Sequence, residues 1–343
     1  MPEQVGVGVV GVGVFGQLHA RVCNELAETR LVAAWSRSDR SLEPIRDLYG
    51  VYTTTDINEL VARPDLDAVI VCTPDHAHAE PVVAAAQAGK HVFVEKPMAT
   101  SVADCDQMIH AARAGGVKFM VGHILRFDPR YWQAHERIVS GGIGKLVHMY
   151  ARRNNPRRAC ERAFGRTTPV FWLGSHDIDM FLWCAGSEAK AVYAQQNTQL
   201  LSDEEGPDSV LAVITFANGI IAALQTSWIL PDGMPSDLDA AFEAVGTEGC
   251  IKLDASLDGL SVYGPAGIEY PRSMYGAAVK ESVTGVLCHE VRHFARCVIE
   301  DTEPLVSPEE GREVVRVACA MHRSASTGSV IQLTAQQTQP GYS

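Results

Sequence analysis

The 343-residue sequence predicts an α/β protein made of a doubly wound parallel sheet followed by an α+β domain with a large, mainly antiparallel sheet. Three observations support this prediction. A glycine-rich turn follows the first apolar run, strands and helices alternate up to residue 123, and long strand patterns without intervening helices begin near residue 145. We therefore expect domains at residues 1–123 and 124–343, with the C-terminal helix packing back toward the first domain.

The chain opens with a strand pattern at residues 5–10, the turn Gly-Val-Gly-Val-Phe-Gly at residues 11–16, and a helical pattern. A G-x-G-x-x-G turn between a strand and a helix is the fingerprint of a dinucleotide-binding Rossmann domain. Gly11 permits the tight turn, Gly13 lets a pyrophosphate approach the backbone, and Gly16 lets the helix pack closely on the strand. A glycine-rich loop without a ligand is the alternative.

The alternation continues with predicted strands at 31–35, 66–74, 90–97 and 117–123, and predicted helices at 41–49, 79–89 and 101–116. Ser101 is the candidate N-cap of the third of these helices. Ligands of such sheets bind at the carboxyl ends of the strands. The predicted cofactor-binding residues there are Gly11, Gly13, Val14, Phe15, Gly16, Ser36, Arg37, Cys72, Thr73, Pro74, His78, Glu95 and Lys96.

The end of the second strand bears on the choice of dinucleotide. An NAD site usually has an acidic residue there for the ribose 2′-hydroxyl, but this sequence has Ser36 followed by Arg37. A hydroxyl and a guanidinium suit a 2′-phosphate, so NADP is favoured. Asp39 could still serve an NAD site. If Arg37 is only a solvated charge in the loop, it gives no preference between NADP and NAD.

The second part of the chain reads as an antiparallel sheet. Residues 145–155 form one long strand pattern, residues 209–230 form a hairpin around Asn218-Gly219, and residues 238–256 form another hairpin. The segment 289–325 returns to helix, with Ser307 as an N-cap. One face of an antiparallel sheet is often open, and could cover a substrate or a second subunit.

Several motifs resemble the glucose-fructose oxidoreductase, inositol dehydrogenase and MocA-like oxidoreductase family. They are GVGVFG, TPDHAH, VEKPMA and GSHDIDMFLW, together with the closing EEGREVV and SASTGSVIQL. The resemblance covers nearly the whole chain in order. It implies an NAD(P)-dependent enzyme that acts on the CH–OH groups of sugars, cyclitols and related polyols. It also implies a homodimer or homotetramer formed through the open sheet face.

The resemblance implies that Lys96 bonds the reacting hydroxyl and the nicotinamide ribose, where a cation would stabilise alkoxide character. Glu95 would orient Lys96 or the chain. His176 is the expected proton acceptor, because imidazole titrates near neutral pH. Asp179 would bind a substrate hydroxyl, and a helix-start carboxylate favoured by the helix dipole is an equal alternative.

The sequence departs from the family pattern four residues before His176. Many members have an aspartate there that completes a Lys-Asp-His set, whereas this chain has Trp172. Tryptophan can stack on a sugar ring or fill a core. The departure leaves room for the reductive direction, and for a redox-neutral cleavage of glycosides that uses bound NAD transiently. A non-catalytic NADP-binding regulatory protein is a third possibility.

A basic island stands out in an otherwise acidic sequence. It comprises Arg152, Arg153, Arg157, Arg158, Arg162 and Arg166. The island could recognise a carboxylate or phosphate on the substrate, or it could be a solvated loop or a subunit contact. With Arg126 preceding the island and Asn154 within it, the predicted substrate-binding residues are Arg126, Asn154, Trp172 and Asp179.

The segment His289-Glu290-Val291-Arg292-His293 matches the zinc-protease pattern H-E-x-x-H. On a helical wheel, the two histidines lie roughly opposite an apolar stripe that includes Val291 and Phe294, so they would face solvent or a neighbour. The extended pattern with a third histidine is absent from the sequence. We therefore predict no metal site.

Composition limits the partners and the compartment. The net charge of −12 and the pI of about 5.4 argue against a general binder of nucleic acids or anionic membranes. No apolar run is long enough to span a membrane. Nine scattered cysteines without a C-x-x-C pair fit reduced thiols, so a cytoplasmic location is expected.

Overall fold

The structure is a computed structural model that describes residues 4–202, 205–265, 267–272, 274–280 and 282–333. Contacts divide the chain into two compact units. The first unit comprises Met1–Trp132 and Leu257–Arg316, and the second comprises Gln133–Ser256 and Val317–Ser343. The domain boundary expected between residues 123 and 124 stays a prediction.

The first unit contains a six-stranded parallel sheet with strand order β3-β2-β1-β4-β5-β6. Every residue of β1 is buried, as expected for a strand covered by helices on both faces. The strands are β1 (Val5–Val10), β2 (Thr29–Trp35), β3 (Tyr52–Thr54), β4 (Ala68–Val71), β5 (His91–Glu95) and β6 (Phe119–Gly122).

The helices that alternate with these strands are α1 (Val14–Glu25), α2 (Asp39–Tyr49), α3 (Ile57–Val61), α4 (Ala79–Gln87), α5 (Val102–Gly115) and, after β6, α6 (Pro129–Val139). Ser101 caps α5 as predicted, because its hydroxyl accepts the backbone N–H of Asp104 at 3.1 Å. The helix ends at Gly116 in the left-handed conformation that glycine favours.

The second unit contains a seven-stranded sheet with strand order β12-β11-β7-β10-β9-β8-β17. Its strands are β7 (Leu146–Pro156), β8 (Ala189–Asn197), β9 (Ser209–Phe216), β10 (Ile221–Leu230), β11 (Asp239–Gly246), β12 (Cys250–Asp254) and β17 (Ile331–Gln332). Both predicted hairpins are present, β9 with β10 and β11 with β12. The pair β7 and β10 is parallel and all the other pairs are antiparallel, so the predicted fold class is confirmed.

The two faces of this sheet differ. One face is buried and contributes Met149, Leu224 and Phe242 to the core, with Phe242 packed against Phe181 of α8 (Ser175–Ala185). The other face exposes apolar side chains of the three strands β8, β9 and β10, namely Tyr193, Leu211, Val213 and Ile221. The short helix α7 (Arg157–Cys160) follows β7 directly.

Two long helices precede β17, namely α9 (Val286–Glu300) and α10 (Pro308–Thr327). Ser307 caps α10 as predicted: its hydroxyl accepts the N–H of Glu310 at 3.2 Å, and the Glu310 carboxylate accepts the N–H of Ser307 at 2.9 Å. Two short hairpins precede α9, β13 (Val262–Gly264) with β14 (Gly267–Glu269), and β15 (Tyr275–Val279) with β16 (Ser282–Gly285). Within the described ranges, no helix has the length and apolarity that crossing a membrane requires.

Candidate functional site

The glycine turn between β1 and α1 is closed by backbone contacts at both ends. Gly11 has φ +92°, and its N–H donates to the carbonyl of Trp35 at 2.9 Å. A Cβ on Gly11 would lie 2.7 Å from the backbone nitrogen of Thr73, and a Cβ on Gly16 would overlap the carbonyl oxygen of Gly11. Both positions therefore require glycine.

The middle of the turn is open. A Cβ on Gly13 would meet nothing within 4 Å among the described residues, and Gly13, Val14 and Phe15 are all exposed. Helix α1 begins at Val14 without an acidic residue in its first turn, so its free N–H groups and positive dipole end face this surface. The turn therefore fits the pyrophosphate of a dinucleotide.

The sheet order brings the other predicted cofactor-binding residues to the same edge. Strands β2, β1, β4 and β5 are neighbours, so Ser36-Arg37, the glycine turn, Cys72-Thr73-Pro74 and Glu95-Lys96 follow adjacent strand ends. This is the edge at which parallel sheets of this type bind ligands. All these residues lie in the first unit.

The segment after β2 presents an exposed cation, and its nearby acidic residue already has an ion-pair partner. Arg37 is exposed, and within the described part of the chain its side chain makes no hydrogen bond or ion pair. Asp39, the residue that left NAD open, forms an ion pair with Arg46 on its own helix at 2.6 Å.

Glu95 is held by a histidine that the sequence analysis did not single out. His19 of α1 is fully buried, and its Nε2 donates to the Glu95 carboxylate at 2.7 Å. The second oxygen of Glu95 accepts the backbone N–H of Lys96 at 3.2 Å. The pair thus joins the helix behind the glycine turn to the strand end that carries Lys96. The role expected of Glu95, orienting Lys96 or the chain, stays a prediction.

His78 is buried between two loops of the first unit. Its Nε2 lies 2.8 Å from the carbonyl oxygen of Thr73, and its Nδ1 lies 3.1 Å from that of Pro97. Burial lowers the pKa of His78, although the carbonyl oxygens oppose that shift. These contacts tie the loop after β4 to the loop after β5, so His78 supports the site through the backbone.

In the second unit, His176 and Trp172 share one accessible surface. A single π-helical turn, Val170–Gly174, leads directly into α8. From Pro169 to Phe181 every residue is buried except Trp172 and His176, which are partly exposed. Because the two are four residues apart across a helical turn, they lie on the same side of the segment.

Asp177 is fixed by a buried ion pair with Arg153 of β7. Two nitrogens of Arg153 donate to the two carboxylate oxygens at 2.8 and 3.0 Å, and the side chains are 4% and 0% exposed. Burial raises the pKa of Asp177, while Arg153 acts in the opposite direction. This pair fixes the start of α8 on the sheet.

The structure buries three of the four predicted substrate-binding residues. In the first unit, Arg126 is 2% exposed and donates to Glu310 at 2.6 Å. In the second unit, Asn154 donates to Asp239 at 2.9 Å, and Asp179 is fully buried. Oδ1 of Asn154 is buried and has no hydrogen-bond partner among the described residues, and Trp172 is the partly exposed member of the set.

Three of the six arginines in the basic island form ion pairs with carboxylates of the same unit. Besides the Arg153 pair, Arg152 binds Asp239 at 2.9 Å and Arg158 binds Asp237 at 2.6 Å. Arg162 differs, because its guanidinium carbon lies 5.6 Å from the centre of the Trp172 ring.

The H-E-x-x-H segment lies in α9, where its two histidines have different surroundings. His289 is exposed, whereas the Nε2 of His293 accepts the backbone N–H of Leu305 at 2.9 Å and is therefore engaged. Among the described residues, no three His, Cys, Asp or Glu side chains are grouped so as to hold a metal ion.

The sequence patterns reveal neither the contact of His19 with Glu95 nor the ion pair of Arg153 with Asp177. His19 lies three positions after Gly16 inside a helical pattern, where a lone histidine gives no signal of a partner 76 residues away. Arg153 belongs to the basic island in sequence, and the signal that could separate it from Arg152 is the alternation of side chains along a strand, which directs neighbours to opposite faces.

Comparison with known proteins relates both parts of the chain to one family. Residues 5–123 match the model described as an oxidoreductase family with an NAD-binding Rossmann fold, and residues 131–252 match the GFO/IDH/MocA C-terminal domain. The chain is 27% identical to myo-inositol 2-dehydrogenase of Thermotoga maritima, over 95% of this chain and 98% of the relative. It is 38% identical to 2,7-anhydro-N-acetylneuraminate hydratase of Mediterraneibacter gnavus, over 44% of this chain and 40% of that relative.

A solved structure with the same fold is scyllo-inositol dehydrogenase from Lactobacillus casei with bound NAD(H) and scyllo-inositol. It has a TM-score of 0.83 and 21% identity, and the match covers 96% of this chain and 99% of that one. The family inferred from the sequence motifs is confirmed. The chain belongs to the glucose-fructose oxidoreductase, inositol dehydrogenase and MocA family and is an oxidoreductase with an NAD-binding Rossmann fold.

Proposed function

We propose that the protein transfers a hydride between a nicotinamide dinucleotide and a secondary alcohol or ketone of a sugar, cyclitol or related polyol. The observation that carries this proposal is the open glycine turn at Gly13, with Glu95 and Lys96 at a nearby end of the same sheet. The inositol dehydrogenase relative supports the substrate class.

Lys96 and His176 are the proposed catalytic residues. The nicotinamide supplies the hydride acceptor or donor when it is bound. The Lys96 ammonium would hydrogen-bond the substrate oxygen and stabilise alkoxide character during oxidation. His176 would accept the hydroxyl proton, or return it in the reductive direction. The His19–Glu95 contact would keep the backbone of Lys96 in place for this role.

NADP is the proposed dinucleotide. Arg37 is exposed at the end of β2 beside Ser36, and Asp39 is paired with Arg46, so the end of β2 is better suited to a 2′-phosphate than to a bare 2′-hydroxyl. Fluorescence titration with NADPH and NADH tests this choice. Arg37→Ala should weaken NADPH binding at least tenfold and leave NADH binding unchanged. Equal effects on both dinucleotides would refute the preference.

The enzyme proposal is tested by turnover of a panel of inositols and hexoses with NADP and NAD. Lys96→Met should lower kcat by at least a hundredfold while NAD(P)H binding survives, because the glycine turn is untouched. Arg166→Ala, an exposed substitution in the second unit, is the control. Retained turnover in Lys96→Met would refute the assigned role, and failure of wild type to bind either dinucleotide would refute the function itself.

A redox-neutral reaction is the second candidate function. Trp172 stands where many family members have an aspartate, and one partly matching relative is a hydratase. Such an enzyme would consume substrate without net change in the NAD(P)H absorbance. Product analysis by mass spectrometry alongside the absorbance assay separates the two candidates.

Self-association through the open sheet face is also proposed. Tyr193, Leu211, Val213 and Ile221 expose apolar surface on adjacent strands of that face. Sedimentation of wild type and Leu211→Glu tests the proposal, because a charge in this face should shift a dimer or tetramer toward the monomer.

A further inference from the structure

We infer that Arg162 and Trp172 form a subsite for a carboxylate group of the substrate, so that the protein acts on acidic sugars or polyol acids. The inference rests on the proposed function, because it names the substrate class of the same site. It is carried by the second unit alone, in which Arg162, Trp172 and His176 all lie.

The first argument is accessibility. Between Pro169 and Phe181 only Trp172 and His176 reach the surface, so these two side chains are what this segment can present to a ligand. Trp172 also packs against the core cluster that includes Trp228, so a sugar ring would contact the exposed part of the indole while a hydroxyl meets the imidazole.

The second argument is charge. The carboxylates of the segment, Asp177 and Asp179, are both buried, and Asp177 is neutralised by Arg153. Arg152 and Arg158 have carboxylate partners of their own. Arg162 is exposed and, among the described residues, has no ion-pair partner. Arg162 therefore places a guanidinium beside Trp172 that is not held in an ion pair among the described residues.

The third argument is geometry. The guanidinium of Arg162 lies over the Trp172 ring at 5.6 Å, within the range of a cation–π contact. Such a contact limits the motion of the guanidinium and leaves N–H groups available for a two-point hydrogen bond, which matches a carboxylate. A single guanidinium balances the single charge of a carboxylate better than the double charge of a phosphate monoester.

The test is binding of matched neutral and acidic sugars to the protein with NADPH or NADH, measured by isothermal titration calorimetry. The probes are D-glucose, D-galactose and D-mannose, and their uronates. The wild type should bind at least one uronate at least tenfold more tightly than its parent hexose. Arg162→Ala should remove that difference and leave hexose binding unchanged. Arg166→Ala, in the same island, should change neither.

Equal binding of each uronate and its hexose, failure of all uronates to bind, or equal weakening of both sugar types by Arg162→Ala would each overturn the inference. Titration of the same samples with NADPH and NADH keeps the two proposals apart. If the dinucleotide binds and the uronates do not, the carboxylate subsite fails and the oxidoreductase proposal stands. If uronates bind through Arg162 and neither dinucleotide binds, the carboxylate subsite stands and the hydride-transfer proposal fails.

Discussion

Replacing Arg153 by methionine should destabilise the second unit far more than the same replacement at Arg152. The Arg153 guanidinium donates to both oxygens of Asp177, and the two side chains are 4% and 0% exposed. Methionine keeps the length and apolar volume of the arginine stem but removes the charge. The variant would therefore leave the Asp177 carboxylate buried without its cation.

Removing one partner of a buried ion pair costs about 3–5 kcal/mol. At roughly 2 °C per kcal/mol for a chain of this size, the midpoint of thermal unfolding should fall by about 6–10 °C. The pair formed by Arg152 and Asp239 is 32% and 22% exposed, so Arg152→Met should cost no more than about 1 kcal/mol.

The pH dependence adds a second check. Without Arg153, burial raises the pKa of Asp177 unopposed, so the native variant takes up a proton at a higher pH than the unfolded chain does. The deficit of Arg153→Met against wild type should therefore shrink as the pH falls from 8 to 5.5. Urea unfolding followed by circular dichroism measures both effects. Equal deficits for the two variants, or a deficit that grows as the pH falls, would refute the reasoning.

Three further predictions concern other sites. Gly13→Ala should leave the midpoint of thermal unfolding unchanged and weaken NAD(P)H binding at least tenfold in a fluorescence titration. Gly16→Ala should lower the midpoint, because its methyl group would overlap a carbonyl oxygen of the turn. Equal behaviour of the two variants would contradict this prediction. His19→Leu should lower the free energy of unfolding by about 1.5–3 kcal/mol, because Glu95 loses a hydrogen-bond donor, and His19→Gln should recover part of that loss in urea unfolding. Burial lowers the pKa of His322 from 6.5 to about 4, so the stability it contributes is complete above pH 6.5 and is lost as the pH falls toward 4; His322→Gln should flatten the fall in unfolding midpoint over that range, and an unchanged slope would count against it.

Local chemistry made much of the fold predictable from the sequence. The glycine turn, the Asn218-Gly219 hairpin and the serine caps at Ser101 and Ser307 each depend on residues within a few positions of one another. The alternation of strands and helices then leaves few topologies for the first sheet.

Contacts between residues far apart in the sequence could not be predicted from local patterns. The partners His19 and Glu95 are 76 residues apart, and nothing in either local pattern indicates the other. Arg126 and Asp179 look like surface groups by residue type, but the structure buries both, because a polar side chain can be buried where it finds partners. Composition cannot separate such residues from those that meet a ligand.

The central position of β7 has a consequence for how the chain is made. Its two neighbours, β10 and β11, lie beyond residue 220, so residues 157–220 must be synthesised before either edge of β7 can be covered. During translation β7 therefore remains unpaired until these residues are made, and unpaired strands are sites of misassembly. Ribosome-bound chains that end before Ile221 should depend on chaperones, and chains that include Gly246 should be released from that dependence.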